Sequence, residues 1–92
     1  MKDSVRLLVT IRGYVQGVGY RYFCYKKAIL YGVKGSVENR FNGDVELEIE
    51  GNEGLLNDFI KELKIGPGGA VVDSIHVKKL EYAGKFQDFI IQ

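Results

Sequence analysis

Apolar and polar residues alternate in three stretches of the chain. Val5, Leu7, Val9 and Ile11 fall on one side of the first stretch, and mostly polar residues fall on the other. A period of two is typical of a β-strand with one buried and one wetter face. The second stretch runs from residue 33 to 40, and the clearest runs from Asp44 to Glu50. In the third stretch Val45, Leu47 and Ile49 are predicted to point inward, and Glu46, Glu48 and Glu50 outward.

Two other stretches have helical spacing. Residues from about Arg21 to Tyr31 are predicted to form a helix closed by Gly32, with an inner stripe of Tyr20, Cys24, Ala28 and Tyr31. Residues from Glu53 to Lys64 are predicted to form a second helix that Gly66-Pro67 stops. Its predicted apolar stripe is Leu55, Leu56, Phe59, Ile60 and Leu63.

The length of the turn between the second and third strands can be predicted from parity, that is, from whether an even or an odd number of loop residues lets apolar positions face each other across the hairpin. A two-residue Asn-Gly loop would place Val45 opposite Arg40 and break both apolar patterns. A three-residue loop instead pairs Asn39 with Val45 and Val37 with Leu47, so that apolar positions share a face. We therefore expect a type I turn followed by Gly43 in the left-handed conformation.

The remaining elements complete a fold class. Val71 to Leu80 is predicted to be a strand, with Ile75 and Val77 inward and His76 and Lys78 outward, and Lys85 to Gln92 to add a short final strand. The order strand–helix–strand–strand–helix–strand describes an α+β two-layer sandwich, most commonly the ferredoxin-like βαββαβ arrangement. We expect one domain over residues 1–92, with a sheet of four to five strands and two helices on one face.

Composition limits the classes of function. At 46% hydrophobic and 27% charged residues, with a net charge of +1, the chain has no strong field that would indicate nucleic acid or cations as partners. No stretch approaches the length of a membrane helix, and no signal peptide is evident. The single cysteine, Cys24, cannot form an internal disulfide. We expect a cytoplasmic monomer.

The loop after the first strand carries the candidate chemistry. Gly13, Gly17 and Gly19 lie within seven residues, and Arg21 follows. Glycines allow several amide N–H groups to converge on an anion, and the N-terminus of the following helix favours negative charge. The arginine adds a planar fork of donors suited to phosphate or carboxylate. The loop matches neither the dinucleotide fingerprint nor the P-loop, because Tyr22 and Val18 stand where those motifs need glycine.

The segment Val15-Gln16-Gly17-Val18-Gly19-Tyr20-Arg21 resembles the acylphosphatase signature. Gly35-Ser36-Val37-Glu38-Asn39, Asn42-Gly43-Asp44-Val45-Glu46 and Gly66-Pro67 with Ala70 continue the likeness in register over nearly the whole chain. The resemblance implies hydrolysis of the carboxyl–phosphate bond of small acyl phosphates. No Cys/His pair, cluster of His and Asp or nucleophile–base motif is evident in the sequence, so we expect this hydrolysis to need no metal or cofactor. It implies that Arg21 and Asn39 are catalytic, that Asn39 holds the attacking water, and that a phosphoryl oxygen takes the proton of that water. The phosphate-binding residues it implies are Val15, Gln16, Gly17, Val18, Gly19, Tyr20 and Arg21.

Three positions depart from the common pattern of that family. Ser36 stands where tryptophan is common, Glu38 where arginine is common, and Tyr20 where phenylalanine is common. Alternation places the Glu38 side chain on the opposite face from Asn39, so it is not expected to repel the substrate. The departures bear on rate and substrate preference.

Two other functions fit the same element order. One is a non-catalytic module that binds phosphate or an acyl phosphate. The other is an RNA-binding sheet, which needs aromatic residues on its open face to stack bases. That face is predicted to carry Arg6, Leu8, Thr10, Arg12 and the three glutamates, which argues against RNA. His76 is expected to be solvated, Cys24 to be a small buried residue, and the glutamates to form a solvated face that partners Arg6, Arg12 and Lys78.

Overall fold

The computed structural model describes residues 3–92 of the chain. These residues form five strands and two helices in the order β1 (Ser4–Tyr14), α1 (Tyr20–Tyr31), β2 (Lys34–Asn39), β3 (Val45–Asn52), α2 (Glu53–Ile65), β4 (Val71–Leu80) and β5 (Phe89–Ile91). The predicted α+β sandwich with the ferredoxin-like order is confirmed. None of the helices in this described part is long and apolar enough to cross a membrane.

The strands form one mixed sheet in the order β4-β1-β3-β2-β5. β3 pairs antiparallel with both β1 and β2, so β1 and β2 run in the same direction. β5 lies parallel to β2, with Val37 opposite Ile91. The C-terminal ends of β1, β2 and β5 therefore meet at one edge of the sheet, where α1 also begins.

The β2–β3 hairpin has the predicted register. Asn39 pairs with Val45 and Val37 with Leu47. The loop closes with Arg40 N–H donating to the Asp44 carbonyl at 2.8 Å, and Gly43 has φ 96°. The predicted register is therefore confirmed, and Asn39 lies at the end of β2 with its side chain on the helix-covered face.

The core lies between the sheet and the two helices. Val9, Ile11, Val37, Leu47 and Ile49 are buried on the sheet, as alternation predicts. The helices contribute Tyr20, Cys24 and Ala28 from α1 and Leu56, Phe59, Ile60 and Leu63 from α2. The helices end where predicted, at Gly32 (φ 70°) and at Gly66.

Two side chains predicted to point inward are more exposed than expected. Leu55 is 45% exposed, because the neighbouring Leu56 takes the position in the first turn of α2 that faces the sheet. Val77 is 48% exposed, although it pairs with Val9 and shares its face. β4 is an edge strand, and its outer side has no further strand to cover it.

The expected solvated acidic face is also wrong in part. Glu48 pairs with Arg6 at 3.2 Å, but Arg12 pairs with Asp44 and Glu46 pairs with Arg40. Glu50 is only 3% exposed. Its carboxylate accepts backbone N–H groups of residues 83–86 at 2.8–3.4 Å, because the segment before β5 folds over it. The final strand is correspondingly shorter than the predicted 85–92.

Candidate active site

The loop between β1 and α1 lies at the sheet edge where β1, β2 and β5 end. Gly17 and Gly19 have φ values of 75° and 77°, in a region of backbone conformation that residues with a Cβ rarely adopt. A Cβ on either glycine would meet no atom within 4 Å, so their conformation and not lack of space requires glycine. Gly19 occupies the N-cap of α1, where no side chain caps the helix.

The backbone donors of this loop are free to bind an anion. Within residues 3–92, the N–H groups from Gln16 to Gly19 make no intramolecular hydrogen bond. They stand at the N-terminus of α1, where the helix dipole favours negative charge, and no acidic residue occupies the first turn. The loop therefore offers an anion several donors and a favourable field.

The side chain of Gln16 fastens the loop to the hairpin. Its Nε2 donates to the carbonyl oxygens of Arg40 at 2.8 Å and of Asp44 at 2.9 Å. These bonds hold the loop beside the end of β2. A flexible loop would have to lose conformational freedom on binding, and the Gln16 bonds reduce that cost.

A cavity of about 220 Å³ opens between the loop, α1 and the ends of β2 and β5. Its lining residues are Val15, Gly17, Gly19, Tyr20, Arg21, Tyr22, Asn39 and Ile91. Arg21 Nη1 donates to a backbone oxygen of Gln92 at 2.7 Å, and Gln92 N–H donates to the Val37 carbonyl at 2.8 Å. The guanidinium is thereby held by the residue that follows β5, the strand beside β2, and its other donors make no hydrogen bond within the described part of the chain.

Asn39 brings an unpaired acceptor to the same cavity. Its Oδ1 is buried, and no donor within residues 3–92 bonds to it. Buried polar atoms in folded proteins nearly always have a partner, so an orphaned amide oxygen beside a cavity indicates a ligand or water position. Rotation of the amide can present either its oxygen or its NH₂ group.

Most of the residues predicted for the site meet at this cavity. Gln16 instead lines a neighbouring cavity, and Val18 packs against the core. Sequence reasoning missed Tyr22, Ile91 and the contact of Arg21 with Gln92. Tyr22 follows Arg21 directly but belongs to no pattern, and the position of Ile91 depends on a parallel pairing that its short strand did not reveal.

Tyr20 explains one of the three departures from the family pattern. Its ring is buried, and its hydroxyl donates to the carbonyl of Leu63 in the last turn of α2. In a continuing helix that carbonyl would accept the N–H of residue 67, but Pro67 has none. The hydroxyl thus satisfies an orphaned carbonyl and links α2 to the first residue of α1. Burial, followed by the proximity of Cys24, raises the pKa of the Tyr20 hydroxyl.

The other reactive side chains lie away from the site. Cys24 is fully buried in α1, and burial raises the pKa of its thiol, so it is not poised as a nucleophile. His76 lies on β4 opposite Thr10, on the open face of the sheet. Among residues 3–92 no three His, Cys, Asp or Glu side chains are grouped in a way that could hold a metal ion.

Fold and site together define a class: a small α+β sandwich with a glycine-rich anion loop, an arginine and an asparagine in one cavity. Residues 7–91 match the family model described as acylphosphatase. A curated acylphosphatase of Caldanaerobacter subterraneus subsp. tengcongensis is 43% identical over 91 residues, covering 99% of each chain.

Solved structures agree with this. The crystal structure of acylphosphatase from Bacillus subtilis superposes with a TM-score of 0.92 at 33% identity, covering 96% of this chain and 98% of that one. An acylphosphatase structure from Coxiella burnetii gives a TM-score of 0.93 at 31% identity, covering 99% and 95%. The chain belongs to the acylphosphatase family. Its activity is therefore the hydrolysis of acyl phosphates to a carboxylate and inorganic phosphate.

Proposed function

We propose that Arg21 and Asn39 are the catalytic residues of this hydrolysis and that the loop from Val15 to Arg21 binds the phosphate. The N–H groups of the loop and the free donors of Arg21 hold the phosphoryl oxygens. The Asn39 amide accepts a hydrogen bond from the attacking water through its oxygen. These roles follow from the resemblance of residues 15–21 to the family signature, and the single observation that supports them best is the convergence of loop, Arg21 and Asn39 on one cavity.

The reaction needs little acid–base help. The water oxygen forms a bond to phosphorus while the bond from phosphorus to the acyl oxygen breaks, and its electron pair leaves on the carboxylate. A carboxylate is a weak base and departs without being protonated. A phosphoryl oxygen receives the water's proton, so the products are the carboxylate and phosphate. The protein mainly supplies charge stabilisation and in-line placement.

The electrostatics of the cavity suit a dianionic substrate. Arg21 is the cationic side chain among its lining residues, and none of those residues is Asp or Glu. Glu38 is one of the departures from the family pattern. Its Oε1 lies 3.5 Å from Arg40 Nη1. It lines the neighbouring cavity, on the other side of Asn39.

The test is hydrolysis of benzoyl phosphate with a chelator present. Wild type is compared with Arg21→Ala, Arg21→Lys, Asn39→Ala and, as a matched control on the exposed side of α2, Asn57→Ala. Removing a preorganised donor typically lowers kcat about 100- to 1000-fold, so Arg21→Ala and Asn39→Ala are expected to be nearly inactive and the control unchanged. Arg21→Lys keeps the charge but loses the planar fork, so it should recover only part of the rate.

The same assay decides between enzyme and binding module. If wild type were inactive but still bound inorganic phosphate through Arg21, the chain would be a phosphate-binding module. If Arg21→Ala or Asn39→Ala retained most of the wild-type rate while folded, the assigned role of that residue would be wrong. The cytoplasmic location, the monomeric state and the absence of nucleic-acid and membrane partners stay predictions from the sequence.

A further inference from the structure

We propose that Tyr22 and Ile91 form the binding site for the acyl group of the substrate and make the enzyme prefer aryl and other large apolar acyl phosphates over acetyl phosphate. The inference rests on the proposed function, because it takes the phosphate position and the water position from it. Tyr22 and Ile91 are the two cavity-lining residues outside the loop, Arg21 and Asn39. They are 59% and 41% exposed, so the cavity rim presents apolar surface on which a substrate can pack.

The Tyr22 ring is held in place by a chain of aromatic contacts. It stacks on Tyr25 with ring centroids 6.3 Å apart and an interplanar angle of 21°. Tyr25 contacts Phe89 at 6.5 Å, and Phe89 contacts the fully buried Phe59 at 6.3 Å. An exposed ring that is supported from the core needs little ordering when a ligand packs on it. Tyr22 is thus a preorganised surface and not a freely moving side chain.

In-line geometry favours the Tyr22 side of the cavity. The leaving oxygen must lie across phosphorus from the attacking water, which Asn39 is proposed to hold. A second cavity of about 420 Å³ adjoins Asn39 and is lined by Gln16, Glu38, Asn39, Arg40 and Phe41. An acyl group there would lie on the same side as the water. The acyl group is therefore directed into the part of the first cavity that the loop, Arg21 and Asn39 leave open, where the lining residues are Tyr22 and Ile91.

Size also agrees with an acyl site. The first cavity, at about 220 Å³, is several times the volume of about 30 Å³ that one water molecule occupies in the liquid. It can hold the phosphoryl group, the attacking water and the first atoms of the acyl group. The rest of a larger acyl group would extend over the rim residues.

The test compares kcat/KM for benzoyl phosphate and acetyl phosphate in wild type, Tyr22→Ala, Tyr22→Phe and Ile91→Ala. Phe41→Ala is the matched control, since Phe41 is a fully exposed aromatic on the other side of Asn39. Tyr22→Ala and Ile91→Ala are expected to lower kcat/KM for benzoyl phosphate about 5- to 20-fold and for acetyl phosphate less than about 2-fold. Tyr22→Phe should retain the preference, and the inhibition constant of inorganic phosphate should stay the same in all variants.

An equal loss on both substrates in Tyr22→Ala and Ile91→Ala would overturn the proposal, since these residues would then act on the phosphate or on the fold. A selective loss in Phe41→Ala alone would also overturn it, because the acyl group would then occupy the second cavity. Circular dichroism of each variant separates unfolding from specificity, and Tyr22→Phe and Ile91→Ala keep the test valid if Tyr22→Ala does not fold. Failure of wild type to turn over either substrate would instead refute the proposed function itself.

Discussion

Replacing Glu50 with alanine is expected to destabilise the protein more than any ordinary surface glutamate would. Glu50 lies on the open face of β3 but is buried by the segment from 81 to 88. Its Oε2 accepts the N–H groups of Ala83 and Gly84, and its Oε1 accepts those of Lys85 and Phe86. Alanine would leave four backbone donors without their acceptor.

The magnitude follows from these four bonds. Each hydrogen bond to a charged group contributes about 1.5–3 kcal/mol, but they share one carboxylate and are not additive. The freed segment can also move out and bond to water. We therefore expect a loss of about 2–3 kcal/mol in the free energy of unfolding, which lowers Tm by about 10–20 °C for a domain of this size. Glu50→Gln should lose about half as much, because one amide oxygen can still accept from one pair of donors.

The carboxylate also gives this contribution a pH dependence. Burial alone would raise the pKa of Glu50, but the N–H groups of Ala83, Gly84, Lys85 and Phe86 together outweigh it and lower the pKa. A lowered pKa in the folded state means that the stabilisation is complete above the unfolded value of about 4.3 and is lost as the pH falls through the folded value. The difference between wild type and Glu50→Gln should therefore shrink on acidification below about pH 4.3.

Urea unfolding followed by circular dichroism, at pH 7 and at a series of acidic pH values, measures these effects. Glu46→Ala is the matched control on the same face of β3, because Glu46 makes only a partly exposed ion pair with Arg40 at 3.6 Å, and it should cost less than about 0.5 kcal/mol. A Glu50→Ala variant as stable as Glu46→Ala would refute the reasoning. So would a difference between wild type and Glu50→Gln that grew on acidification.

Three further experiments test other contacts and the burial described above. Tyr20→Phe should lower the free energy of unfolding by about 1–3 kcal/mol, because the Leu63 carbonyl is left without a donor, while kcat should stay within about twofold of wild type. Thermal unfolding and an activity assay at 25 °C measure the two effects. Gln16→Ala should weaken inhibition by inorganic phosphate by up to about tenfold, because the loop loses both bonds to the β2–β3 hairpin; unchanged inhibition would show that the loop holds its shape without them. Cys24 should resist alkylation by iodoacetamide at pH 8 in the native protein and react readily in urea, because it is buried and the pKa of its thiol is raised. Mass spectrometry measures the labelling, and rapid labelling of the native protein would contradict the described burial.

Much of the fold could be predicted because alternation and helical spacing report which side of an element faces the core. Parity even gave the register of the β2–β3 hairpin. Alternation also placed Glu50 correctly on the open face of the sheet. The predicted exposure of Glu50 was nevertheless wrong, because alternation does not tell which loop covers that face. The predicted burial of Leu55 and Val77 was wrong for a related reason. An apolar pattern predicts which way a side chain points, whereas its burial depends on where the neighbouring layer ends.

The candidate site divides in the same way. Arg21 and Asn39 could be identified because the motifs that resemble the family signature include them, and the ferredoxin-like order then places the ends of β1 and β2 at one edge of the sheet. Tyr22 and Ile91 could not, since one needed the aromatic contacts with Tyr25 and the other needed the parallel pairing of β5 with β2. Local motifs identify the proposed phosphate-binding residues, and long-range packing decides which residues form the proposed acyl site.

The contact between Arg21 and Gln92 has a consequence for how the protein acquires activity. The two residues are 71 positions apart, so the contact closes a long loop. During synthesis the glycine loop emerges early, yet its arginine cannot be held in this position until residue 92 has left the ribosome and β5 has docked beside β2. Contacts of such large sequence separation form slowly relative to local ones. Because Arg21 is proposed to be catalytic, recovery of activity after refolding is expected to follow the docking of β5 beside β2, and not the formation of the helices.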